Sequence, residues 1–226
     1  MAGNHRKLLL ACCALTLAAA GMLAHAQKSE RQCLDCHDED APIHAIANTV
    51  HGSLAGGGSD SCVACHGAST AHKQRATKNP PDVSFGPKWP SDPEVRSASC
   101  QTCHNTGEHA LWAGSVHQQE NMACDSCHDA HQQQDLVMGT QEAEKICLDC
   151  HTQVRSQLHL PSRHPIAEGK TSCTDCHNPH GGLGDASLQQ VSVNDNCFSC
   201  HADKRGPFLW EHPPAAEDCT LCHRPH

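Results

Sequence analysis

Tyrosine is absent from this 226-residue chain, and three phenylalanines and three tryptophans are its only other aromatic side chains apart from histidine. A polar polypeptide so short of bulky apolar groups cannot build an ordinary core at this length, so something other than side chains must fill the interior. Basic residues are scarce too. Sixteen Lys+Arg stand against 25 Asp+Glu, a formal charge of −9. That balance argues against nucleic acid or an anionic lipid surface as a partner, and for a basic patch on another protein. The one apolar stretch, Leu8 to Ala20, is short for a membrane span. It follows Arg6 and Lys7 and precedes Ala24-His25-Ala26, the pattern of a cleaved secretory signal over residues 1–26. Leu-Leu-Ala-Cys at 9–12 has too little apolar sequence ahead of it for a lipoprotein signal. Cleavage removes Cys12 and Cys13, leaves Met122 and Met138 as the remaining methionines, and takes the charge to −11.

What the chain does have is cysteine and histidine, 18 and 21 of them. Eight times, two cysteines three apart are followed at once by histidine: Cys33/Cys36-His37, Cys62/Cys65-His66, Cys100/Cys103-His104, Cys124/Cys127-His128, Cys147/Cys150-His151, Cys173/Cys176-His177, Cys197/Cys200-His201 and Cys219/Cys222-His223. C-x-x-C-H is the attachment signal for c-type haem: the two sulfurs bond the haem vinyl groups and the histidine ligates iron from the proximal side. Eight haem c groups are therefore expected. Zinc on paired C-x-x-C motifs and a disulfide framework are the alternatives. Neither requires a histidine after every second cysteine, a coincidence on the order of one in a hundred million at this histidine frequency. Haem c is attached outside the cytoplasm, which agrees with an exported chain.

The motifs fall into four repeats, each reading C-x-x-C-H, His, C-x-x-C-H, His. The expected layout is signal 1–26, di-haem block 27–72, a proline-rich linker 73–99, and di-haem blocks 100–131, 147–180 and 197–226. Pro80, Pro81, Pro87, Pro90 and Pro93 make the linker extended or irregular. Residues 132–146 have helical composition, and the segment opening Gly-Gly-Leu-Gly at 181 reads as a loop. The fold class expected is mostly coil with short α-helices starting at several motifs, no sheet, and an elongated haem stack built from repeats that touch their neighbours. The porphyrins would be the core, so without haem little stable fold is expected.

Six-coordinate iron needs a second axial ligand. His51, His72, His117, His131, His164, His180, His212 and His226 are eight candidates for eight irons. A haem with two histidines passes electrons, whereas an open position binds small molecules. A histidine closing C-x-x-C-H-x-x-H is too close to reach its own iron in a tight stack and would serve a neighbour. His44, His109 and His159 are left over and read as exposed or propionate-bonding side chains, and Trp112 and Trp210 as packing on porphyrin faces.

Four segments carry a resemblance: Leu-Trp-Ala-Gly-Ser-Val-His (111–117), His-Pro-Ile-Ala-Glu-Gly-Lys (164–170), Cys-His-Asn-Pro-His-Gly-Gly (176–182) and Cys-His-Ala-Asp-Lys-Arg-Gly-Pro-Phe-Leu-Trp-Glu-His-Pro (200–213). With them the chain resembles the MtrA/DmsE family of periplasmic decahaem cytochromes of outer-membrane electron conduits. The resemblance implies a bis-histidine haem wire in the periplasm, inserted into an outer-membrane β-barrel porin. Its partners would be that porin, an extracellular multihaem cytochrome or reductase, and a periplasmic or inner-membrane cytochrome donor. It also implies His117, His164, His180 and His212 as distal ligands. The chain departs from the family in carrying eight motifs where relatives continue into two more. A natural octahaem form and a shortened decahaem are both open, with the repeat closing on His226 favouring the first.

Three functions compete. One is the wire of an extracellular electron-transfer complex, for metal reduction or oxidation. A second is a soluble periplasmic shuttle to a reductase. The third is an octahaem nitrogen- or sulfur-oxyanion reductase. Against an enzyme, no C-x-x-C-K marks a lysine-ligated haem, tyrosine for a haem crosslink is missing, and the chain is short for that class. No catalytic residue is therefore assigned.

Overall fold

The computed structural model describes residues 33–37, 43, 45–54, 58–210 and 213–226. The expected signal segment, His44 and His212 lie outside these residues. Among the described residues the backbone is short α-helices, 3-10 turns and coil, with no strand and a single antiparallel bridge between His177 and Leu188. That is the helix-and-coil class expected from the sequence. No described helix is long and apolar enough to cross a membrane. The chain divides into two compact units, Met1–Pro90 with Ala130–Gln133, and Ser91–Asp129 with Gln134–His226.

In the first unit the helix Ser59–His66 stops at Gly67, whose φ of 71° suits a residue without Cβ. A Cβ there would come within 2.9 Å of Asp82. Asp82 uses that closeness: its carboxylate accepts from Ser69 N at 2.8 Å, and its own N donates to Ser69 Oγ at 3.1 Å. Val83 N then donates to the His66 carbonyl at 3.2 Å. The proline-rich stretch is thus pinned across the end of a motif helix at 82–83.

In the second unit the expected linker ends early, in the helix Pro93–Gln101, with proline in its first turn where a missing N–H costs nothing. Arg96 of that helix pairs with Asp125 in the turn Cys124–Ser126. Leu148 of Thr140–Cys150 packs with Leu158 and Ile166, and Val154 of Thr152–Gln157 leans on them. Beyond these, the buried apolar residues among those described are Trp112 and Ala123, and no large side chain is fully buried. The apolar interior expected to be thin is thin.

The motifs do not all start helices. In the last three blocks the first motif lies at the C-terminal end of a helix: Cys100 in Pro93–Gln101, Cys147 and Cys150 in Thr140–Cys150, Cys197 in Val193–Phe198. The second motif instead opens a 3-10 turn, at Cys124–Ser126, Cys173–Asp175 and Cys219–Leu221. The reason is what precedes each: the helical stretches Pro93–Ser99 and Thr140–Ile146 before Cys100 and Cys147, against Asn-Met-Ala, Thr-Ser and Glu-Asp before the second motifs.

Candidate haem-binding sites

One backbone bond recurs at the motifs. The histidine N–H donates to the carbonyl of the first cysteine, at 3.1 Å for His37, 2.9 Å for His104 and His201, and 3.0 Å for His128, His151, His177 and His223. This single helical turn brings thiols three apart onto one face, with the imidazole just beyond. No disulfide joins any of the sixteen motif cysteines. Among the described residues no three His, Cys, Asp or Glu side chains converge as a bare zinc ion would need.

Within each block, and between the later blocks, motifs meet through their cysteines. Within each block the first cysteines hydrogen-bond: Cys33 with Cys62, Cys100 with Cys124, Cys147 with Cys173, Cys197 with Cys219. Between the second and third blocks, and the third and fourth, the second cysteines are the electrostatic neighbours: Cys127 with Cys150, Cys176 with Cys200. The thiol contacts leave their mark on acidity. The bond from Cys100 pulls Cys124 down to about 6, that from Cys173 pulls Cys147 down to about 7, and Cys173 is itself pushed up.

Imidazoles face one another in pairs. Ring centres are 6.3 Å apart for His37 and His72, 6.3 Å for His66 and His131, and 6.1 Å for His151 and His117. They are 5.9 Å apart for His128 and His180, 5.9 Å for His177 and His226, and 6.3 Å for His201 and His164. A metal–imidazole bond is about 2.0–2.1 Å and the ring centre lies about 1.1 Å beyond the nitrogen, so two rings across one ion sit about 6.3 Å apart. The residues present therefore fit a haem iron held between a motif histidine and a second histidine, with two thiols beside it. The pairing crosses blocks. The middle histidines His117 and His164 face the first motif of the following block, and the closing histidines His131, His180 and His226 face the second motif of the preceding one. His72 alone of these faces a motif of its own block.

The other ring nitrogens are held as well. Nδ1 of His66, His72, His117, His164 and His177 lies 2.8–3.0 Å from the carbonyls of Val83, Asn79, Pro179, Pro225 and Ala186. Such bonds set the tautomer that leaves Nε2 for metal. Burial lowers His66, His180 and His226, with His180 brought to about 4. A neutral imidazole is the ligating form.

Some features lay beyond sequence reasoning. Pro179 and Pro225, just before closing histidines, hold the middle histidines of the preceding blocks. Asp135 accepts from His128 Nδ1 at 2.6 Å. His109, expected on the surface or at a propionate, is half-buried between His104 at 5.4 Å and His180 at 4.5 Å. His159 is exposed as expected. Trp112 is buried beside His180, whereas Trp210 is 88% exposed in the polypeptide. The repeated Pro-His ending was the visible signal for the proline carbonyls.

Comparison with known proteins agrees with this geometry. A family described as "Doubled CXXCH motif" matches residues 164–206, and one described as "Cytochrome c-type protein NrfB-like" matches residues 62–150. The chain belongs to the multihaem c-type cytochromes. Within that class it is 36% identical over 198 residues to the multiheme cytochrome MtrA of Shewanella baltica, covering 86% of this chain and 59% of the relative. It is 33% identical over 99 residues to the cytochrome c-type protein NrfB of Haemophilus influenzae, covering 40% of this chain and 43% of the relative. It is 29% identical over 148 residues to NrfB of Escherichia coli, covering 59% and 72%. The chain thus spans less than two thirds of the MtrA relative's length.

Proposed function

We propose that the chain is an octahaem electron wire, working in the periplasm between cytochrome donors and an outer-membrane porin–cytochrome conduit. The observation that carries this reading is the run of cysteine contacts, which makes each attachment site in the second unit a neighbour of the next in sequence order. When bound, each haem stores one electron by cycling its iron between the ferric and ferrous states. The chain's own residues do the rest. The motif cysteines Cys33, Cys36, Cys62, Cys65, Cys100, Cys103, Cys124, Cys127, Cys147, Cys150, Cys173, Cys176, Cys197, Cys200, Cys219 and Cys222 would hold the haems covalently. The paired imidazoles would ligate iron from both sides and keep small molecules away from it. His51 and His212 are the two remaining candidates in the set of eight second ligands.

The MtrA likeness over 86% of the chain supports the conduit role. The NrfB-like match over 62–150 favours a second reading, a soluble electron shuttle without a porin. Low-temperature EPR of the oxidised protein, with haem counted on the same sample, tests the common core of both: eight haems, all low-spin. A stoichiometric high-spin signal would instead mean an open iron and return the enzyme reading. Co-purification with a β-barrel encoded beside the chain separates wire from shuttle.

A further inference from the structure

The six facing pairs are alike in ring spacing but not in what their outer nitrogens touch. Five of the ring nitrogens described above bond to neutral backbone carbonyls. His128 is different: its Nδ1 lies 2.6 Å from the Asp135 carboxylate, which is partly shielded, with 24% of its side chain exposed. Asp135 is itself anchored, its other oxygen accepting from Val137 N at 3.3 Å at the start of the turn Leu136–Met138. Across from His128, the Nδ1 of His180 is buried and has no hydrogen-bond partner. One iron site therefore combines a carboxylate-bonded imidazole with an imidazole that has no bond behind it.

A carboxylate on Nδ1 draws that proton outward and raises the basicity of Nε2, so the ligand gives more electron density to iron. Extra donation favours the ferric over the ferrous ion, and hydrogen bonding behind the axial ligand is one of the levers by which a protein sets haem potential. We infer that Asp135 is a potential-setting residue: it holds the haem bound at Cys124 and Cys127 at a lower potential than haems whose imidazoles bond only carbonyls. This rests on the proposed assignment of His128 and His180 to one iron. It gives the wire a step at the second motif of the second block, where an electron is held least readily.

Asp135→Asn keeps shape and an oxygen acceptor while removing the charge. In a potentiometric titration of the haem-loaded protein, one of the potentials should rise by at least a tenfold change in its reduction equilibrium, which is 59 mV for one electron. One low-spin EPR component should change with it. Glu168→Gln is the control for plain charge removal: Glu168 lies outside the eight motifs, is 45% exposed and pairs with Arg163. Its effect should be under about threefold, with the EPR spectrum unchanged. No rise in Asp135→Asn, or an equal rise in both variants, overturns the inference. If Asp135→Asn fails to load haem, the unmodified protein decides: one component of its near-infrared charge-transfer band must stand apart from the rest, and a homogeneous band refutes the idea. His180→Ala reads the underlying assignment separately, since without a new high-spin haem there the ligand pairing itself fails.

Discussion

Replacing His226 with alanine opens one iron, and the crossed pairing says which. His226 is three residues from His223, so sequence proximity points to the haem of the last motif. The structure instead puts its ring 5.9 Å from that of His177 and 20° from parallel. His226→Ala should therefore convert one haem equivalent to high-spin, the one carried by Cys173 and Cys176. Deleting Pro225 together with His226 should do more. The Pro225 carbonyl is 2.8 Å from His164 Nδ1, and a bond of that kind contributes about 0.5–1.5 kcal/mol, roughly a two- to tenfold preference for the orientation facing His201. The deletion should give the same full high-spin equivalent plus a fractional loss at the Cys197 and Cys200 haem. Low-temperature EPR with haem counted supplies the stoichiometry. Repeating His226→Ala with Cys173→Ala and Cys176→Ala identifies the haem, because the new signal must then vanish. A signal that survives, or no new signal in His226→Ala alone, refutes the crossed pairing.

Gly181 adopts φ 125°, and a Cβ there would lie 2.3 Å from the Leu111 carbonyl oxygen. Gly181→Ala should cost about 1–3 kcal/mol and disturb the adjacent His180, read as a lowered unfolding midpoint and a weakened low-spin signal; an unchanged protein would remove the packing argument. Ile166→Ala, in the small cluster with Leu148 and Leu158, should cost about 2–4 kcal/mol in denaturant unfolding of the haem-loaded chain. Arg96→Ala strips the charge partner from Asp125, whose side chain is 22% exposed, and should cost about 1–3 kcal/mol, with less than about 0.5 counting against the ion pair. The chain made without haem should show no cooperative thermal transition by circular dichroism; a sharp one would mean that the polypeptide core suffices.

The attachment sites were legible because each is confined to five consecutive residues, and a local pattern needs no fold to be read. The helix-and-coil class followed from the shortage of β-formers and apolar bulk. Ligand pairing was not legible in the same way. His117 meets His151 and His164 meets His201 across 34 and 37 residues, separations at which spacing alone has no information about direction. The sequence did show that a closing histidine cannot turn back on a motif three residues away, which is steric and local. Nothing marked Asp135, one acid among 25, because its role depends on a turn that folds it back seven residues onto His128. The place of His109 between the rings of His104 and His180 was not legible either, because it depends on a segment far along the chain.

The crossing of ligands between blocks also sets an order in time. A chain exported N-terminus first presents the iron site at His66 well before His131, 65 residues later, has emerged to face it. The site at His128 waits in the same way for His180, and the site at His177 for His226. Among the six described pairs, only the His37 site has its partner within its own block, at His72. With the ligands paired in this way, maturation would proceed as a zipper in which each later block closes the one before it. A stall in export would then leave a half-made chain ending in an open iron.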